Sequence, residues 1–179
     1  VRSSDYLTAV LILSYEYMSS HTSGLDNALE SLFRSRSDLL IALERVSDQY
    51  FNTSPLEEVR RDAFEYWSIC EIAWYVGALD DVCRLRINDI GAGHEVRLNE
   101  ISRRPEHVSN VEVMLVWVNQ SRAALSSSIL RMTKNQLQEE QLLFRENLYR
   151  CEIILSEIAE NETMSARRIW ELIEMFRCK

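Results

Sequence analysis

Residues 25–51 read LDNALESLFRSRSDLLIALERVSDQYF. Leu25, Leu29, Leu32, Leu39, Leu43, Val46 and Tyr50 recur in alternating steps of three and four. That is the seam of a helix that packs lengthwise on another helix. The spacing predicts one amphipathic helix from Leu25 to Phe51, with Glu30, Arg34, Asp38, Glu44 and Asp48 on its outer face. Arg36 occupies a position that the seam reserves for an apolar residue. We read it as a stem that packs while its head reaches water, with Phe33 and Leu40 carrying the seam past it. The sharper alternative is a buried charge that sets register against a carboxylate of another helix.

Towards the N-terminus, His21 to Gly24 form a break. Before it, 4–20 reads as a helix that is apolar nearly all round, the pattern of a central or covered helix. It contains Glu16 and is too short and polar to span a bilayer. No targeting pattern is present. We expect a cytoplasmic or nuclear protein and leave secretion open, since a cleaved leader leaves no trace.

Towards the C-terminus, Asn52-Thr53-Ser54-Pro55-Leu56-Glu57 reads as a stop and a restart. Ser54 suits the cap, Pro55 the first helical position, and Glu57 the reciprocal place in a capping box. A helix is expected from Pro55 to Ile90 through Val59, Ala63, Trp67, Cys70, Trp74 and Ala78. Gly77 inside it marks a kink or a close helix contact. Gly91-Ala92-Gly93-His94 opens the longest irregular stretch, 91–110, in which 96–102 could make a short helix. Val111, Met114, Leu115, Val118, Leu125, Ile129 and Met132 then follow helical spacing, although Val111–Val118 is rich in β-branched residues. Thr133–Gln136 is a candidate interruption. Leu137, Phe144, Leu148, Cys151, Leu155 and Ile158 give a second seam. Asn161–Thr163 precede a last helix through Ile169, Leu172, Ile173 and Phe176.

Composition agrees. Four Gly and two Pro in 179 residues leave room for few tight turns, so the elements must be long. The expected fold is all-α, a bundle of five to six long amphipathic helices with coiled-coil-like packing. It forms one domain over 1–179 with a candidate hinge at 91–105.

The chemistry is sparse. Cys70 and Cys83 fall on one predicted helix about 20 Å apart, too far to bridge each other. We take all four cysteines, with Cys151 and Cys178, as reduced. Three glycosylation sequons start at Asn52, Asn119 and Asn161. His21, His94 and His107 have no partner at ligand spacing, and HExxH, ExxH and paired CxxC are absent, so neither metal nor cofactor is expected. Asp80-Asp81 resembles half of the metal-binding pair of helical prenyl-chain enzymes, but the third carboxylate is missing. We read these residues as a solvated face on which Asp80 pairs with Arg84.

The formal net charge of −8 argues against broad binding to phosphate backbones, and nucleic acid is not expected as a partner. The expected function is a non-enzymatic interaction module: a scaffold, adaptor or regulatory subunit that meets a protein partner or itself through a helical face. Arg103, Arg104 and His107 in the irregular stretch, and Arg167, Arg168 and Trp170 on the last helix, are the candidate contact residues. The alternatives are a secreted or host-targeted helical effector or cytokine-like protein, and a helical nucleic-acid binder of viral type. An enzyme is set aside because spacing brings no set of polar groups together.

Overall fold

The computed structural model describes residues 23–55, 64–96, 100–101, 110–138, 141–143 and 147–178. The expected helix over 4–20 lies outside the described residues. The fold is the expected all-α bundle, with six helices among the described residues, four of them long. The long ones are α1 (Ser23–Glu44), α3 (Ile69–Gly91), α4 (Val111–Leu130) and α6 (Cys151–Arg177). Two short helices, α2 (Asp48–Phe51) and α5 (Lys134–Gln138), and a 3-10 turn at Phe64–Tyr66 complete the helical part.

Four boundaries differ from the sequence expectation. The 25–51 helix breaks after Glu44, and Ser47 turns extended before α2 restarts at Asp48. The next long helix starts at Ile69 rather than Pro55. Its capping box is Ser68-Ile-Cys-Glu71, where the Ser68 hydroxyl accepts from the Glu71 amide and the Glu71 carboxylate accepts from the Ser68 amide at 2.7 Å. Ser54, the expected cap, instead donates to the Tyr66 carbonyl at 2.9 Å; Glu57 lies outside the described residues.

The third difference is the second seam. Leu142 and Leu148 pair across an antiparallel hairpin of β1 (Gln141–Leu143) and β2 (Asn147–Tyr149). Lastly, α6 runs through Asn161–Thr163 unbroken. The β-branched start of α4 is helical as expected: Asn110 caps it, its side chain accepting from the Val113 amide at 2.8 Å. Ile69–Gly91 ends where the glycines predicted, with Gly93 at φ 67 in the left-handed region.

Two apolar clusters show how the long helices run. One holds Leu39 and Leu43 of α1, Ile72 and Val76 of α3, Met114 and Val118 of α4, and Ile169 and Leu172 of α6. The other holds Leu25 and Leu32, Cys83 and Ile87, Leu125 and Ile129, and Ile154 and Ile158 of the same helices. So α1 and α6 run from the second cluster to the first, and α3 and α4 run the other way. α1 lies chiefly on α6 and α3 chiefly on α4, so each main pair is parallel. Parallel neighbours need a return as long as the helix, which is why the 92–110 connection is long.

Gly77 is a close helix contact rather than a kink. The Trp117 indole of α4 occupies the space that a side chain would take there. Trp117 stacks on Trp74 at 4.6 Å between centroids and 12° between planes.

All four cysteines are free thiols; Cys70, Cys83 and Cys151 are buried and Cys178 is exposed. Burial pushes the Cys83 thiol up to about 12 and the Cys151 thiol to about 11. Thiolate is the reactive form. A disulfide-exchange reagent at neutral pH should therefore label Cys178 quickly in the folded protein and all four cysteines in denaturant. Fewer than four reactive thiols in denaturant would show a disulfide and revive the secreted reading.

Candidate functional site

The polar groups that converge in this bundle do so between the two apolar clusters. Each long helix contributes one charged side chain to that layer: Arg36, Asp80, Arg122 and Glu162. All four are buried. Arg122 grips Asp80 with Nε at 3.2 Å and a terminal nitrogen at 2.9 Å, and reaches Glu162 at 2.6 Å. Arg36 meets Asp80 at 2.6 Å and also pairs with Glu162. The four charges thus alternate in sign around a closed ring, with no net charge.

The remaining valences are largely filled. Ser35 donates to Glu162 at 2.6 Å, and Arg36 donates to the Val118 carbonyl at 3.2 Å. Arg122 donates to the Leu32 carbonyl at 3.4 Å. Arg36 Nε and Ser165 Oγ have no hydrogen-bond partner among the described residues. Burial, and next the neighbouring Arg122 guanidinium, hold Arg36 below its ordinary range. Burial also acts to lower Arg122, but Asp80 and Glu162 together outweigh it and hold that guanidinium above its ordinary range.

This ring corrects two readings. Arg36 does not reach water; it is the buried charge of the sharper alternative, facing carboxylates on two other helices. Asp80 is not on a solvated face and does not pair with Arg84, which instead bonds Asp81 at 3.3 Å. An Asp at position 80 of a mostly buried helix projects inward at the same level as Arg122. Removing one partner from such a ring would leave an uncompensated buried charge.

A second feature lies on the surface where α1 and α6 run side by side. A groove of about 350 Å3 is lined by Asp38 and Ile41 of α1 and by Thr163, Ala166, Arg167 and Trp170 of α6. Ile41 is about half exposed, and Trp170 rests on the first apolar cluster. The structure therefore brings together two of the contact residues expected on the last helix, Arg167 and Trp170. The third, Arg168, is not among the residues that line the groove. Arg168 donates to the Glu65 carbonyl at 2.6 Å and pairs with Glu171 at 2.9 Å, so it ties the 3-10 turn to α6. Arg103, Arg104 and His107 lie outside the described residues. Asp38 and Ile41 line the groove too but were not among the expected contact residues; their signal was a break in polarity, an apolar Ile41 on an otherwise charged outer stripe of α1.

Of the histidines, His94 is described and is exposed. Among the described residues no three metal-binding side chains cluster. No helix there is long and apolar enough to cross a membrane. The Asn161 side chain is engaged inside the fold, donating to the Glu157 carbonyl at 2.8 Å and accepting from the Tyr75 hydroxyl at 3.3 Å.

No protein-family profile matches the chain, and no curated protein matches it in sequence. Solved structures do match in fold. The four-helix bundle protein TT2238 is similar over 82% of this chain and 97% of its own, with a TM-score of 0.59 and 14% identity. The colibactin self-resistance protein ClbS, seen in complex with a dsDNA, is similar over 82% of this chain and 94% of its own, with a TM-score of 0.63 and 14% identity. These likenesses define the class of the fold, a four-helix bundle. They also overturn one expectation. Nucleic acid was set aside on net charge, yet a protein with this architecture is found bound to dsDNA. Net charge describes the whole surface, whereas binding is decided by a local one.

Proposed function

We propose that this bundle is a non-catalytic binding module whose working surface is the groove between α1 and α6. The observation that carries this reading is the groove itself. Trp170 and Ile41 offer apolar surface there, and Arg167 and Asp38 stand beside it as a cation and an anion. Neither charge has a side-chain partner among the described residues. The polar ring favours the same reading from the other side, because its charges are spent on one another and buried.

The occupant that suits the groove is an amphipathic protein segment. It would set one large apolar side chain against Trp170, with a carboxylate towards Arg167 and a basic group towards Asp38. Aromatic and Arg residues at such a centre carry a disproportionate share of binding energy. Selection from a displayed library of amphipathic helical peptides tests this. Binders should show that charge order. Trp170→Ala should weaken them by at least about 2 kcal/mol, on the order of 30-fold. The paired swap Asp38→Arg with Arg167→Glu should invert the charge preference of newly selected binders. Binders indifferent to both changes would overturn the assignment.

One observation favours a second reading, duplex-DNA binding: the likeness to ClbS in its dsDNA complex. It is tested by fluorescence anisotropy with a short labelled duplex. A salt-dependent rise would support it, because phosphate contacts release counterions. No rise at low salt would remove it.

A further inference from the structure

α4 carries two charged residues in its 20, Glu112 at the start and Arg122, which is buried in the ring. Its outward face therefore has no charge beyond the first turn. Val113, Val116 and Leu130 are 40%, 51% and 48% exposed on it. Gln120 and Ser127 are exposed and Ala123 is half-buried between them.

These six residues are spaced 3, 4, 3, 4 and 3 apart. That is the step pattern of a coiled-coil seam, here turned away from the core. The pattern reads the same in both directions. An antiparallel copy of the helix, related by a two-fold axis between Gln120 and Ala123, therefore presents the same seam in register. Val113 then faces Leu130 of the second copy, Val116 faces Ser127, and Gln120 faces Ala123. Each larger side chain meets a small one or closes an end of the pair, so the two backbones can approach closely.

Charge selects the occupant. The chain carries a net −8, and the outer stripes of α1 and α6 hold six exposed carboxylates against three exposed arginines, Arg34, Arg167 and Arg177. Two copies repel one another there and do not repel along α4. A two-fold contact uses the same patch on both subunits and needs only that the patch complement itself. We propose that the outward seam of α4 is a self-association surface, and that its partner is a second copy of this chain packed antiparallel across a two-fold axis near Gln120 and Ala123.

Sedimentation equilibrium of the full chain tests this. The expected result is a monomer–dimer equilibrium at micromolar concentration. Val116→Glu buries two like charges in the symmetric contact and should weaken the dimer on the order of 100-fold. Leu130→Lys, at the far end of the seam, should weaken it too. Both sites are exposed, so thermal melting of the variants by circular dichroism should match the parent protein at concentrations where the parent is monomeric. A parent chain that stays monomeric at the highest soluble concentration overturns the proposal. So does a dimer that survives both substitutions. The groove peptides selected above should bind Val116→Glu as they bind the parent, which keeps this test separate from the binding-module reading.

Discussion

Asp80→Ala should cost about 3–5 kcal/mol of folding stability, the range for removing one partner from a buried ion pair. Two guanidiniums bond to Asp80, Arg36 at 2.6 Å and Arg122 at 2.9 and 3.2 Å. Without it both remain inside the bundle with Glu162 as their only carboxylate in the ring. Neither can shed its charge readily, since a guanidinium stays protonated across the accessible pH range. Urea denaturation followed by far-UV circular dichroism measures the loss. A cost no greater than the ~1 kcal/mol of an exposed pair would show that the ring is not a coupled unit. Removing the whole ring should behave oppositely. Arg36→Met, Asp80→Leu, Arg122→Met and Glu162→Leu together leave no charge in that layer. The quadruple variant should be neutral or about 1–4 kcal/mol more stable. If the ring enforces topology, that variant should lose dispersion in its amide NMR spectrum while keeping its helix content.

Gly77→Ala should also destabilise the fold, against the usual sign. Gly to Ala inside a helix ordinarily gains about 1 kcal/mol. Here an added Cβ would lie 2.8 Å from Trp117 Cδ1 and 2.9 Å from Cε2, closer than carbon atoms pack. Trp117 is held by its stack on Trp74. Overpacking of this kind costs about 1–3 kcal/mol, so the net change should be a loss, greater for Gly77→Val. Near-UV circular dichroism should report the disturbed indole pair. In a Trp117→Ala background the sign should reverse, and Gly77→Ala should become stabilising by up to ~1 kcal/mol. If Gly77→Ala stabilises both backgrounds alike, the close contact is not what keeps glycine there.

The helical class of the fold was legible from spacing and from the scarcity of Gly and Pro. So were the glycine stop at Gly91 and the start of α4 near Val111. What failed were features set between helices or by competing local signals. Arg36 stood out as an intruder in a seam, but the carboxylates that explain it sit on other helices, and spacing within one helix says nothing about them. Ser68 and Glu71 formed a readable capping box. The helical spacing through Trp67 hid it, because Trp67 packs on Phe64 and Tyr75 from just outside the helix. The hairpin of 141–143 and 147–149 was hidden the same way, since Phe144 and Leu148 also fit a helical seam. Of the groove, Trp170 and Arg167 were reachable by residue type. Asp38 and Ile41 were not, because a groove between parallel helices depends on which helices are neighbours.

That neighbour relation has a consequence for how the chain folds. α1 and α6 are the first and last long helices described, and they are each other's principal partner. The contact that buries α1 therefore closes a loop spanning most of the chain, which is costly in entropy and slow to form. On the ribosome α3 and α4 can meet first, while the apolar stripe of α1 waits for the 27 residues of α6 to emerge. Deleting α6 would remove the principal surface that covers α1 among the described residues, and the shortened chain should aggregate rather than persist as a smaller bundle.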